Sequence, residues 1–125
     1  MVKEAEILKA LGEPTRLRIM RLLLETKKEI CGCELVDSLE IPQYNLTKHI
    51  DILIHAGLIK SRKEGRWVYY LACVGCSSFC ENVCDGVLKA KDKIYEEDLT
   101  KFKKRLAIRK KGKCLLGIQT KKLIN

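Results

Sequence analysis

Two cysteines one residue apart, Cys31 and Cys33, stand in the run EICGCEL. Thiolates are soft ligands that select soft ions, and two sulfurs at positions i and i+2 project together from extended backbone. On a helix the same sulfurs point about 200° apart, whereas Gly32 between them lets the backbone adapt. The pair therefore favours a soft-ion site that requires nonhelical backbone, and the alternative is two small buried hydrophobic side chains.

A second group of cysteines lies in ACVGCSSFCENVC, at Cys73, Cys76, Cys80 and Cys84. Ser78 and Glu81 have the spacing of a capping box, which predicts a last long helix from about residue 78 to residue 110. In its first turn, Cys80 would be favoured as a thiolate by the helix dipole. The interpretations left open are a third ligand for the first pair, a second thiolate site, an iron–sulfur cluster, a redox or persulfide site, and packing at a dimer interface.

The composition limits where such chemistry takes place. The 125 residues are 46% hydrophobic, which suits one compact domain. No segment approaches the roughly 18 consecutive apolar residues of a membrane span, and no secretory signal is visible, so a cytoplasmic protein with no membrane partner is expected. Seven cysteines in a reducing compartment are expected to bind metal, perform redox chemistry or pack, rather than form disulfides.

The elements that position the first pair are predicted from apolar spacing and from proline. Helices are expected over residues 4–11, 14–25 and 34–39. Pro42 then begins a longer helix, residues 42–56, which Gly57 ends. A short helix, a tight turn and a longer helix form a helix-turn-helix.

The longer helix separates apolar from polar side chains. Leu46, Ile50 and Leu53 recur at helical spacing and are expected to face the core. The polar residues on or near the opposite stripe are Gln43, Tyr44, Asn45, Thr47, Lys48 and Asp51. Such side chains are able to read base edges in DNA, although a solvated helix face is the simpler interpretation on this evidence alone.

A hairpin follows this helix in the run GLIKSRKEGRWVYYLA. Two strand-like stretches, residues 58–62 and 66–71, are joined by a loop of hairpin length that contains Gly65. The basic residues clustered at its tip are Arg62, Lys63 and Arg66. A helix-turn-helix followed by a basic hairpin predicts a mainly α fold with a small β-hairpin, the winged helix-turn-helix, in which one helix enters the major groove and the wing touches phosphates.

The sequence resembles the ArsR/SmtB metalloregulatory repressors, a family of small dimeric winged-helix proteins. The resemblance extends from about residue 10 to residue 71, through ALGEPTRLRIMRLL, EICGCELVDSL, QYNLTKHIDILIHAGLI and RKEGRWVYYL. It implies a homodimer that binds double-stranded operator DNA without a cofactor. It also implies that arsenite, antimonite, cadmium or lead at Cys31 and Cys33 releases the DNA. The operator contacts that it implies are Gln43, Asn45, Thr47, Lys48 and His49, with Arg62, Lys63 and Arg66 in the wing.

The sequence departs from the arsenite-sensing pattern at one position. Arsenite is best held by three sulfurs, and family members with a third cysteine on the same helix have it where Val36 stands here. A third ligand, if the site has one, is therefore expected from elsewhere, and the second cysteine group is the candidate. The family's other type of site uses acidic and histidine ligands on the last helix, whereas His49 and His55 both lie in the longer helix, which argues against a zinc or nickel sensor there.

The cysteines would also suit two other classes of function. A thiol redox or persulfide-sensing repressor would use the same cysteines, and a soft-metal storage or transfer protein would need neither the polar helix nor the wing. The chain has no glycine-rich phosphate loop and no serine nucleophile motif, so an enzyme is not expected.

The net charge of +9 is concentrated at the carboxyl end. Residues 101–125 contain ten Lys or Arg and no Asp or Glu, which leaves the first hundred residues near neutral. We predict a DNA-binding and dimerisation domain at residues 1–110 and a basic tail at residues 111–125. Truncation after Lys110 is expected to weaken DNA binding uniformly and to spare the ion response. Alternatively, the tail packs on the partner subunit, with Cys114 as a packing residue.

Overall fold

The computed structural model describes residues 2–73, 75, 77–110, 112–114 and 116–119. Within these residues the chain forms six helices and three strands. In chain order they are α1 (Lys3–Leu11), α2 (Pro14–Thr26), β1 (Ile30–Cys31), α3 (Gly32–Leu39), α4 (Gln43–His55), β2 (Ile59–Glu64), β3 (Trp67–Ala72), α5 (Ser78–Lys89) and α6 (Lys93–Leu106). Helices α3 and α4 with the β2–β3 hairpin confirm the predicted winged helix-turn-helix. None of the described helices has the length and apolar character needed to cross a bilayer.

Proline, glycine and a capping side chain explain where α2 begins and where α4 begins and ends. Helix α2 starts at Pro14, whose missing N–H is tolerated there, and the Glu13 side chain accepts a hydrogen bond from the Arg16 backbone N–H at 3.0 Å. Helix α4 starts directly after Pro42, and Gly57 follows it with a φ of 80°. Both boundaries therefore depend on local chemistry that is visible in the sequence.

The hydrophobic core lies under α4, as its apolar spacing predicts. Leu46, Ile50 and Leu53 are at most 2% exposed. They share one hydrophobic cluster with residues from the other helices, among them Ile7, Leu23, Leu35, Val87 and Phe102. Burial of each such side chain contributes about 1.5–3 kcal/mol, which holds the polar stripe of α4 outward.

The sheet has three antiparallel strands in the order β1-β3-β2. Strands β2 and β3 form the predicted hairpin, in which Arg62 lies opposite Tyr69. Strand β1 has only two residues and pairs with the other edge of β3, with Ile30 opposite Tyr70 and Cys31 opposite Tyr69. This short strand was not predicted, and it places the first cysteine directly on the wing.

The last helical region begins at Ser78 as predicted, but the prediction of one continuous helix to about residue 110 is wrong. The helix expected from about residue 78 to residue 110 is divided into α5 and α6 by a three-residue break. Ala90 has extended backbone, and the Asp92 side chain starts α6 by accepting a backbone hydrogen bond at 3.0 Å. Arg21 of α2 donates hydrogen bonds to the carbonyl oxygens of Val87 and Ala90, which satisfies acceptors that the break leaves open.

Candidate metal centre and DNA-reading surface

Cys31 is the cap residue of α3. Its backbone is extended, with φ −79° and ψ 160°, and α3 then begins with Gly32 and Cys33. The Glu34 carboxylate accepts a hydrogen bond from the Cys31 backbone N–H at 3.0 Å, which holds this helix start in place. Because Cys31 precedes the helix, the two side chains are not forced apart, and their sulfur atoms lie 2.9 Å from each other.

The third sulfur at this site belongs to Cys114 in the tail. Its Sγ lies 2.7 Å from the Sγ of Cys31 and 3.1 Å from that of Cys33. These distances exceed the disulfide bond length of about 2.05 Å, so three separate thiol groups meet here. Cys31 and Cys114 are buried and Cys33 is half-buried. In the described part of the chain, this is the one group of three side chains whose ligand atoms are close enough together to hold a metal ion.

A tight turn brings Cys114 back to the sheet. Lys110 and Lys113 exchange two backbone hydrogen bonds of 3.0 Å. Gly112 between them has a φ of 73°, in the left-handed region that glycine adopts without strain. The Cys114 backbone N–H then donates a hydrogen bond to the Tyr69 hydroxyl oxygen at 3.0 Å. The turn and this hydrogen bond together set the position of the third sulfur.

Two ion pairs join α3 to α6 and to the residues that directly follow it, and one of them is fully buried. Arg105 donates to the Asp37 carboxylate at 2.7 Å, and both side chains are fully buried. Arg109 donates to both oxygens of Glu34, at 2.6 and 2.7 Å. Arg105 also donates to two tail carbonyl oxygens at 2.9 Å, while Asp37 accepts from the Gln119 backbone N–H. Removing one partner of the fully buried pair would leave the other charge buried and unpaired at a cost of about 3–5 kcal/mol. Arg105 therefore needs Asp37, and through its hydrogen bonds to the tail carbonyl groups it links α3 to the tail.

The three thiols ionise differently. Hydrogen bonds from Cys31 and Cys114, with the nearby Arg105 guanidinium, lower the pKa of Cys33 to about 7 against the opposing effect of burial. The hydrogen bond to Cys33, together with burial, raises the pKa of Cys31. Burial is the main reason that the pKa of Cys114 is raised to about 11. Near pH 7 the negative charge is therefore concentrated on Cys33, and an ion that takes all three sulfurs must displace the remaining thiol protons.

The second cysteine group does not supply the third sulfur among the described residues. Cys80 and Cys84 lie in the hydrophobic core, at 0% and 1% exposed. The backbone N–H of Cys73 donates to the Leu58 carbonyl oxygen at 2.8 Å. Cys76 lies outside the described residues. A role for this group as a separate thiolate site stays a prediction.

Sequence reasoning missed Cys114 as a partner of the first pair. It was expected only as a possible packing residue, because 83 positions separate it from Cys31. The available signal was the residue itself, a single cysteine in a segment otherwise rich in Lys, Leu and Gly. Its position also changes the expectation for the tail, since truncation after Lys110 removes a sulfur as well as positive charge.

The outward face of α4 presents the polar residues predicted to read DNA. Gln43, Tyr44, Asn45, Thr47 and Lys48 are all exposed. The Nζ atom of Lys48 lies 4.4 Å from the centre of the Tyr44 ring, a cation–π contact that orients both side chains. His49 is half-buried, and its Nδ1 lies 3.1 Å from Nη1 of Arg16 on α2. His49 is thus held against α2, and the operator contacts of all six residues stay predictions.

The wing presents the predicted basic residues. Arg62, Lys63 and Arg66 are all exposed. Arg62 donates to the Glu29 carboxylate at 2.7 and 3.1 Å and to Glu64 at 3.1 Å. Its guanidinium also lies 4.9 Å from the centre of the Tyr69 ring. Arg62 is therefore shared between acidic neighbours and an aromatic ring before any phosphate is present.

An exposed polar helix beside a basic hairpin defines the class of winged-helix DNA-binding proteins. Residues 13–61 match the family described as "Bacterial regulatory protein, arsR family". An uncharacterized HTH-type transcriptional regulator from Methanocaldococcus jannaschii is 48% identical over 68 residues, which are 54% of this chain and 75% of that protein. The arsenic resistance transcriptional regulator ArsR1 of Pseudomonas putida is 33% identical over 92 residues, which are 74% of this chain and 71% of the relative.

A solved structure agrees with these sequence relatives. Reduced HlyU from Vibrio cholerae matches with a TM-score of 0.60 at 30% identity, over 71% of this chain and 90% of that one. The chain therefore belongs to the ArsR/SmtB family of winged-helix transcriptional repressors. This membership confirms the predicted fold class, and it confirms a DNA-binding regulator rather than an enzyme.

Proposed function

We propose that this repressor binds its operator without a cofactor and is released by arsenite, antimonite or a soft divalent ion such as Cd²⁺ or Pb²⁺. The proposed ligands are the thiolates of Cys31, Cys33 and Cys114. The observation that carries the proposal is the convergence of three sulfurs within 3.1 Å from two segments far apart in sequence. Thiolates select ions of this soft class, and a relative named for arsenic resistance supports it.

The coupling between the thiolates and DNA follows from the elements that hold them. Cys31 and Cys33 form the start of α3, which packs against the reading helix α4. Cys114 lies beyond the end of α6, in a segment whose carbonyl groups accept hydrogen bonds from the buried Arg105. An ion bound by all three thiolates would fix the start of α3 relative to the tail. Because α3 packs against α4, the position of α4 would change with it. Release requires that the ion bind the operator-free arrangement more tightly than the operator-bound one.

The operator is proposed to be an imperfect inverted repeat bound by a homodimer. Two winged-helix units related by a two-fold axis read half-sites about one helical turn apart. The residues proposed to contact it are Gln43, Tyr44, Asn45, Thr47, Lys48 and His49 on α4 and Arg62, Lys63 and Arg66 on the wing. Footprinting of a single unsymmetrical half-site, or a monomer in sedimentation at assay concentration, would count against this arrangement.

The ion response is tested by fluorescence anisotropy on DNA from the chain's own upstream region. Wild-type protein is titrated with arsenite, antimonite, Cd²⁺ and Pb²⁺, beside the variants Cys31→Ser, Cys33→Ser and Cys114→Ser. The three variants should bind the operator as wild type does and should not be released. Cys73→Ser is the matched control, because Cys73 lies outside the site, and it should respond fully.

Two results would redirect the proposal. Full induction of all three serine variants would exclude this site and favour the second cysteine group. Release of wild-type protein by an oxidant, with no response to any of the four ions, would favour the redox alternative, for which three thiols at these distances are also suited.

A further inference from the structure

The thiolate site and the wing share one residue, Tyr69. Cys31 lies opposite Tyr69 in the pairing of β1 with β3, and the Cys114 backbone N–H donates to the Tyr69 hydroxyl at 3.0 Å. Tyr69 is 4% exposed, and together with Cys31 and Cys114 it forms a small hydrophobic cluster of its own. Two of the three sulfur-bearing residues thus contact the same position on the wing.

Tyr69 also contacts the arginine proposed to bind phosphate. Arg62 lies opposite Tyr69 in the hairpin, with its guanidinium 4.9 Å from the centre of the ring. The same guanidinium donates to Glu29, two residues before Cys31 in sequence. Arg109, which also binds the Glu34 carboxylate of α3, donates to the Glu29 backbone carbonyl oxygen at 2.7 Å. The position of Arg62 therefore depends on a ring and a carboxylate that both adjoin the thiolate site.

We infer that Tyr69 is a positioning residue that couples the thiolate site to the wing, by a route separate from α3 and α4. The inference rests on the proposed ion response. Sulfurs bonded to one ion through bonds of about 2.3 Å or more lie farther apart than the 2.7–3.1 Å that separates these three. When an ion binds, the sulfurs therefore separate, the backbone at Cys114 moves relative to β3, and the hydrogen bond to the Tyr69 hydroxyl changes with it. Movement of the Tyr69 ring then displaces the Arg62 guanidinium that lies against it. A contact that differs between two states is what an energetic coupling requires.

The variant Tyr69→Phe isolates this contact, because it removes the hydroxyl and keeps the ring beside Arg62. Operator affinity is measured by fluorescence anisotropy with and without arsenite and, separately, Cd²⁺. Cd²⁺ affinity is followed by thiolate-to-metal absorbance. Operator affinity without ion should match wild type. Because the hydroxyl helps to position Cys114, Cd²⁺ affinity should fall, so the two proteins are compared at saturating Cd²⁺. There the ion-induced loss of operator affinity should be about fivefold smaller in Tyr69→Phe, as expected for one hydrogen bond. Tyr70→Phe is the matched control on the opposite face of β3, and its coupling should be unchanged.

The outcomes separate this inference from the proposed function. An equal ion-induced loss in Tyr69→Phe and wild type overturns the inference and leaves the proposed function intact. Failure of wild-type protein to respond to either ion overturns both. Should Tyr69→Phe fold poorly, Arg62→Gln decides the question, because it keeps the hydroxyl and removes the cation. The ratio of operator affinities without and with ion should then fall, and an unchanged ratio overturns the wing route.

Discussion

The sulfur atoms of Cys31 and Cys114 lie 2.7 Å apart, although 83 positions separate the two residues in sequence. Cys31 caps α3, and Cys114 follows the turn beyond α6. Their contact joins the start of the helix-turn-helix to the basic tail. In the proposed mechanism the tail is therefore part of the sensor as well as a source of positive charge.

Truncation after Lys110 should abolish ion-induced release while the preference for the operator sequence remains. The truncated chain lacks Cys114 and the tail carbonyl groups that Arg105 binds. Anisotropy titration with arsenite measures the response, and Cys114→Ser in the full chain should show the same loss. The slope of log affinity against log salt should fall by about 0.9 for each phosphate contact that the tail supplies, and only in the truncated chain. Full release of the truncated protein would exclude Cys114 as a ligand.

Cys33 should be the most reactive thiol of the site near neutral pH. Its pKa is lowered to about 7, whereas that of Cys114 is raised to about 11. The thiolate is the nucleophile, so the rate of iodoacetamide modification at Cys33 should rise as pH increases through about 7 and level off above it. Mass spectrometry of the modified peptide measures this rate. Cys31→Ala removes a hydrogen bond to the thiolate and should move the midpoint to higher pH, so an unmoved midpoint contradicts the assigned cause.

Asp37→Asn should lower the free energy of unfolding by about 3–5 kcal/mol, because it leaves the buried Arg105 without its charged partner. Urea denaturation measures the change. The matched control is Glu64→Gln, which removes an exposed partner of Arg62 and Lys113 and should have little effect. Equal effects of the two variants would mean that the buried pair does not stabilise the contact between α3 and α6.

Two glycine substitutions should have opposite effects. Gly112→Ala places a side chain at a φ of 73°, which costs about 1–2 kcal/mol and should weaken ion binding through the displaced Cys114. Gly86→Ala lies inside α5 with open space around it, and it should raise the free energy of unfolding by about 0.5–1 kcal/mol. Thermal unfolding and thiolate-to-metal absorbance measure both variants. A Gly112→Ala protein with wild-type ion affinity would show that the turn does not position the third sulfur.

Substitutions on α4 and on the wing should affect DNA binding differently. Lys63→Gln removes a proposed phosphate contact from each subunit of the dimer, so it should weaken binding to all sequences and reduce the salt slope by about 0.9 per subunit. Gln43→Ala removes a proposed base contact and should relax the preference at one base pair by about 1–3 kcal/mol. Anisotropy on operator and scrambled DNA at several salt concentrations separates the two effects. If Gln43→Ala weakened binding to operator and scrambled DNA equally, Gln43 would contact the DNA backbone instead of a base.

The sequence by itself was sufficient to predict the winged-helix architecture, because the forces that determine it act over a few residues. The spacing of Leu46, Ile50 and Leu53 determines which face of α4 is buried, and hence which polar residues point outward. Pro42 and Gly57 limit that helix through backbone geometry alone. The affinity of Cys31 and Cys33 for soft ions likewise follows from thiolate chemistry and local spacing.

Only the tertiary structure decided which third sulfur joins that pair and where the last helix breaks. No local pattern marks Cys114, since its place depends on Arg105, which binds both Asp37 of α3 and carbonyl groups of the tail. The break before α6 has a local signal in the Asp92 cap, but it also depends on Arg21 from α2, which binds the carbonyl groups left open there. Both features rest on hydrogen bonds and ion pairs between elements far apart in sequence. Such contacts become strong only when packing removes them from water, and periodicity along the chain does not record that burial.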